Sequence, residues 1–96
     1  HEYEVRSNRE TGEGRADILL LPRNNALPGY VFEFKVYKPR KKLKVVPKTT
    51  ITRILNLALK QIEEKNYAEE FKARKVKKVT KIAMVFYGKK VWMKCN

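Results

Sequence analysis

The chain has 96 residues with 43 % apolar content, enough for a single domain near the small end of what buries a stable core unaided, and against disorder throughout. No apolar run is long enough to cross a bilayer, no signal peptide opens the chain, and the lone Cys95 makes no internal disulfide, which together favour a reducing, cytoplasmic setting. With 23 lysines and arginines against 10 acids, a net charge of +13 and a pI near 10.0, the chain calls for a polyanionic partner.

Nucleic acid is the first candidate. An anionic membrane is the second, weakened by the lack of a long basic amphipathic helix with exposed aromatics. The same lysine excess also serves solubility or heat stability.

In residues 1–9, Tyr3 and Val5 alternate with polar residues, the pattern of a partly exposed first strand, and His1 reads as a cut end rather than a ligand. Residues 9–15 form a turn in which Gly12 and Gly14 permit positive backbone angles. Its charges suit a solvated hairpin tip. Arg15, two residues before Asp17 and therefore on its face, is alternatively a phosphate contact.

Ala16 to Pro22 and Pro28 to Tyr37 read as buried second and third strands, joined by a segment of Gly, Pro and Asn. A run of Val31, Phe32, Phe34 and Val36 should carry no ionised side chain, yet it holds Glu33 and Lys35, and Asp17 heads the strand before. Strand alternation points Glu33 and Lys35 to the face of Val31, and Phe32, Phe34 and Val36 to the other. If the two strands pair as a hairpin, Asp17 lies beside the later part of the third strand, and two carboxylates and one ammonium converge. Such a cluster can hold a hard divalent cation, with Lys35 free to orient a water or a phosphate. A same-face salt bridge with Asp17 as a turn residue satisfies the same spacing.

Residues 38–48 carry six cations, no acid and two prolines that block a regular helix. The run reads as a solvated loop. Because it leaves the third strand just past Lys35, Lys38, Arg40, Lys41, Lys42 and Lys44 are also candidates for a sequence-blind clamp on a phosphate backbone. Thr49 or Thr50 then caps a helix running to about Ala73, whose Ile51, Ile54, Leu55, Ala58, Leu59 and Ile62 follow the helical period and pack one face on the sheet. Gln61 and Lys65, four apart on one flank, stand out from this structural role. Residues 72–81 form a second basic stretch leading into Ile82 to Tyr87, and Gly88 to Lys90 turns into a last strand over Val91 to Lys94, with Tyr87 and Trp92 as packing residues. No repeat, Walker loop, zinc-type Cys/His spacing or nucleophile elbow occurs.

Asp17, then Glu33-Phe34-Lys35 after a gap, resembles the PD-(D/E)XK nuclease superfamily. Three blocks, Tyr3 to Ile18, Gln61 to Ala68 and Phe86 to Val91, are similar to the nuclease-like domain at the C-terminus of a group of AAA-type ATPases. The resemblance implies an α/β (α+β) fold over residues 1–96, a restriction-endonuclease-like mixed sheet with a packed helix. It also implies that the superfamily's N-terminal core helix, with any acidic ligand it bears, is missing from this chain. A bare sheet face would follow, and with it a homodimer.

The resemblance further implies a metal-dependent nuclease acting on DNA, with Asp17, Glu33 and the Phe34 carbonyl binding Mg²⁺ or Mn²⁺. Lys35 would then activate the attacking water, and Gln61 would support the site. A tyrosine sometimes accompanies that glutamine, but the Gln61 to Tyr67 spacing is longer than the family's usual one, which leaves Tyr67 to core packing. The alternatives are a non-catalytic nucleic-acid-binding module and an accessory domain of an ATPase partner.

Overall fold

The computed structural model describes residues 2–10, 15–65 and 67–96, with the side chains of residues 8–10, 15 and 16 left out. Five strands and two helices follow in the order β1 (Tyr3–Glu10), β2 (Arg15–Pro22), β3 (Gly29–Val36), α1 (Lys48–Glu64), α2 (Ala68–Ala73), β4 (Val79–Tyr87) and β5 (Lys90–Cys95). The sheet is mixed, in the spatial order β1-β2-β3-β4-β5. All neighbours are antiparallel except β3 and β4, whose parallel pairing requires the crossover that α1 and α2 supply. The architecture is α+β, with the mixed sheet and packed helix that the sequence leads one to expect. The turn at Gly12 and Gly14 lies outside the described residues.

Burial alternates along β3, as a sheet covered on one side demands. The covered face presents Leu19, Leu21, Val31, Ala83 and Val85, all buried. Against it α1 lays Ile51, Leu55, Ala58 and Ile62, spaced to fall on one stripe of a helix. Register and alternation place Val5, Ile18, Leu20, Tyr30, Phe32, Phe34, Val36, Ile82, Met84, Phe86, Val91 and Met93 on the opposite face, which is therefore apolar. Val5, Val36, Val91 and Met93 are exposed. Among the described residues no helix is long and apolar enough to cross a membrane.

The helical region differs from the sequence expectation at both ends. Helix α1 starts at Lys48 behind Pro47, with no side-chain cap, so neither Thr49 nor Thr50 performs that role. Apolar contact fixes the entry instead: Val46 before the cap and Ile51 in the first turn are buried in one cluster, a hydrophobic staple. The helix also does not run on to Ala73. It stops at Glu64, and α2 resumes at Ala68.

Helix α2 ends in a Schellman closure, with Val76 N–H donating to Phe71 O (2.9 Å) and Lys75 N–H to Lys72 O (2.9 Å). Phe71 and Val76 are buried in the same cluster, the apolar contact that accompanies this motif. The left-handed position it needs, φ 60°, is filled by Lys75 rather than glycine.

The ring of Phe71 packs against Gly29. A Cβ at Gly29 would stand 2.6 Å from Phe71 Cδ1 and closer still to Cε1, so this position needs glycine for space. Gly29→Ala is expected to lower stability by about 1–3 kcal/mol through overpacking. Urea unfolding measures it, and an unchanged midpoint would contradict the packing described.

Candidate carboxylate–lysine site

Register sets Asp17 directly opposite Glu33 across the β2–β3 pair, and both side chains point to the covered face. Both are fully buried, and Lys35 is 8 % exposed. Two carboxyls and an ammonium among Leu19, Val31 and Val85 incur desolvation that only mutual pairing or a ligand offsets.

The elements above supply that pairing. Lys65, at the end of α1, donates to Asp17 Oδ2 at 2.7 Å and to Glu33 Oε1 at 3.2 Å. Gln61, one turn earlier, accepts from Lys35 Nζ through Oε1. Lys35 Nζ also lies 3.3 Å from Glu33 Oε2, an ion pair without hydrogen-bond geometry. Tyr67 donates its hydroxyl to Asp17 Oδ2 at 2.5 Å.

Tyr67 corrects the sequence expectation, which gave it core packing alone. Its ring does pack against the core cluster of Leu19, Val31, Ile62 and Phe71, but its hydroxyl belongs to the site. On an unbroken helix, residues six apart differ by about 240° in direction, so Gln61 and Tyr67 would not serve one site. The break between α1 and α2 removes that constraint. The signal available in sequence was Asn66 between two helical stretches, and it is weak.

Electrostatics divides the two carboxyls. Burial pushes Glu33 up, and the adjacent Asp17 adds to the rise, so Glu33 reaches about 7 although Lys65 and Lys35 oppose it. Burial also acts upward on Asp17, but hydrogen bonds from Glu33, Lys65 and Tyr67 outweigh it and hold that carboxyl below its ordinary value. Two acids this close do not both ionise readily, and the proton settles on Glu33. Tyr67 is raised by burial first, by its hydrogen bond to Asp17 second and by the Asp17 charge third, so it stays a donor.

Asp17 Oδ1 and Glu33 Oε2 are buried and accept no hydrogen bond from a neighbouring N–H or hydroxyl, although the Lys35 ammonium lies 3.3 Å from the second. Buried oxygens left so are uncommon and call for an explanation such as an ion. Two hard oxygen donors suit Mg²⁺ or Mn²⁺, which accept few protein carboxylates and complete their shell with water and substrate phosphate. Among the described residues no group of three or more His, Cys, Asp and Glu side chains is placed to hold a metal ion, so this pair is the donor set available there. Phe34, between Glu33 and Lys35, is the residue whose carbonyl was expected to join it.

The proposed backbone clamp is a separate feature. Lys38, Arg40, Lys41, Lys42 and Lys44 are exposed on a loop pinned by Leu43 N–H donating to Tyr87 Oη (2.7 Å) and by buried Val46. No hydrogen bond or ion pair joins these five to the carboxylates among the described residues. Tyr87 and Trp92 pack against the second core cluster. The side chain of Arg15 lies outside the described residues.

The model of the PD-(D/E)XK nuclease superfamily matches residues 1–96, the whole chain. Searches of curated proteins and of solved structures returned no match. The family match bears on neither an ATPase partner nor a homodimer.

Proposed function

From the premise that this chain belongs to the PD-(D/E)XK nuclease superfamily, we propose that it hydrolyses phosphodiester bonds of nucleic acid, DNA first, with Mg²⁺ or Mn²⁺. The observation that carries this reading is the pair of buried oxygens without a hydrogen-bond partner, Asp17 Oδ1 and Glu33 Oε2, the second beside the Lys35 ammonium, on side chains opposed across two strands. A divalent cation supplies a water of lowered pKa there and neutralises phosphate oxygens.

The chain's own residues divide the remaining work. Asp17 stays ionised, and Glu33 would release its proton to solvent on taking up a cation and serve as the second carboxylate donor, with the Phe34 carbonyl beside it. Gln61 and Glu33 hold the Lys35 ammonium in place. From there it orients the attacking water and steadies the charge that develops on the phosphoryl oxygens. Tyr67 fixes the rotamer of Asp17. Lys65 spans the two carboxyl groups and offsets the Asp17 charge while no cation is bound. Lys38, Arg40, Lys41, Lys42 and Lys44 hold the strand by its phosphates.

The second reading is a binding module without hydrolysis. The specific observation in its favour is the Lys65 ammonium, which already satisfies one oxygen of each carboxylate. Incubation of plasmid and of short single strands with Mg²⁺ or Mn²⁺ separates the two. Strand scission that EDTA abolishes is expected. Salt-sensitive binding with no scission under either metal would leave the binding module.

A further inference from the structure

Beside the carboxylate site lies a cavity of about 270 Å³. Val31, Ile62, Phe71, Val76 and Val79 contribute apolar walls, and Tyr67 lines it too. Tyr67 thus joins cavity and site within one side chain: its ring is in the wall and its hydroxyl is on Asp17. The volume falls just below the range of about 300–1,000 Å³ typical of drug-sized ligands, which suits a single heterocycle. Lys72, Lys77 and Lys81 stand around it, with Lys81 paired to Glu63.

The cationic rim continues past the cavity. Lys77 also lines a neighbouring depression with Lys75, Lys78 and Asn25 to Leu27. A single small anion has no use for so many ammonium groups in succession, whereas a strand with a charge at every nucleotide matches them. Lys75 is a second observation pointing the same way. It holds the left-handed position of the Schellman closure, where glycine is free of steric cost and lysine is not. Residues held in such a conformation cluster at functional sites.

We propose that residues 72–81 form a docking surface for single-stranded nucleic acid, in which one unstacked base enters the cavity between Tyr67 and Phe71 and Lys72, Lys75, Lys77, Lys78 and Lys81 hold the flanking phosphates. The inference rests on the nucleic-acid reading above and deepens it. It specifies a substrate whose bases are free to leave the stack, and it places the strand beside Asp17 and Glu33. Apolar walls for a base and ammonium groups for its backbone are the two elements of sequence-tolerant single-strand recognition.

The test is fluorescence anisotropy in EDTA with a labelled single-stranded DNA oligonucleotide and an abasic strand of equal length. The native protein is expected to bind the base-bearing strand about tenfold more tightly, the effect of seating one base. Ala68→Trp, at an exposed position lining the cavity, should fill it, bring the ratio near one and leave abasic affinity nearly unchanged. Lys77→Gln should weaken both strands alike and lower the salt slope by about one. Lys75→Gly should raise the melting temperature while lowering affinity for both strands.

Equal affinity of the native protein for the two strands would overturn the proposal. So would an unaltered ratio in a folded Ala68→Trp protein. Metal-dependent scission without base discrimination would leave the hydrolytic reading standing and remove only the base site. Base discrimination without scission would do the reverse.

Discussion

Asp17→Ala is expected to bring metal-dependent strand scission down to background while binding of the same DNA in EDTA stays within about twofold, because nucleic-acid affinity comes from the exposed cations and the base cavity rather than from the carboxylates. Asp17 supplies one of the two buried oxygens without a hydrogen-bond partner and is the carboxyl that stays ionised at neutral pH, so its removal leaves no charged donor on β2. Lys35→Ala should lower the rate by about 10²–10³, the scale of losing one preorganised electrostatic group, again with binding retained. It leaves both carboxylates in place. Plasmid nicking and single-strand digestion read the first quantity, and anisotropy reads the second. Undiminished cutting by both variants would reject these roles.

Glu33→Gln should have the second large effect, on stability and on its pH dependence. The native carboxyl titrates near 7 against an ordinary 4.5. Between those values the folded chain keeps a proton that the unfolded chain has released, so stability falls as pH rises through this window. Below about 4.5 nothing is lost through Glu33. Asp17 acts in the opposite sense: its lowered value stabilises above the ordinary carboxylate range, and that contribution disappears as pH falls. A neutral amide keeps most of the shape of Glu33 and removes its titration. In EDTA at pH 8 the variant should be more stable than the native protein by up to about 3 kcal/mol, with the difference shrinking toward pH 5. Urea midpoints at the two pH values measure this. Parallel pH profiles for the two proteins would contradict the assignment of the proton to Glu33.

Much of this site is legible in the sequence. Charged residues inside an apolar strand run are rare enough to draw attention, and alternation put Glu33 and Lys35 on one face. Hairpin pairing then required Asp17 to come near Glu33, and the register confirms the pair residue for residue. The helix stripe was equally legible, since Ile51, Leu55, Ala58 and Ile62 repeat at the helical period and are the residues buried.

The rest depends on side-chain contacts, local and tertiary, rather than on propensity. The start of α1 depends on Val46 meeting Ile51, a contact no propensity encodes, while Thr49 and Thr50 offered a plausible cap one turn too late. The interruption after Glu64 carries neither proline nor glycine, and it decides where Tyr67 points. Tyr67 therefore entered the site only once the fold was known, although Gln61 and Lys65 stood out on their shared helix flank. The cavity below Tyr67 was invisible for a similar reason. It is assembled from β3, α1, α2 and β4, whose contributions are far apart along the chain.

Manganese titration monitored by electron paramagnetic resonance tests the central claim most directly, since it reads the cation itself and needs no substrate. The native protein should remove one equivalent of free Mn²⁺ from solution, release it to excess Mg²⁺, and lose this capacity in both Asp17→Ala and Glu33→Ala. Binding that survives both substitutions, or no binding by the folded native protein, would contradict a cation site built on these two carboxylates.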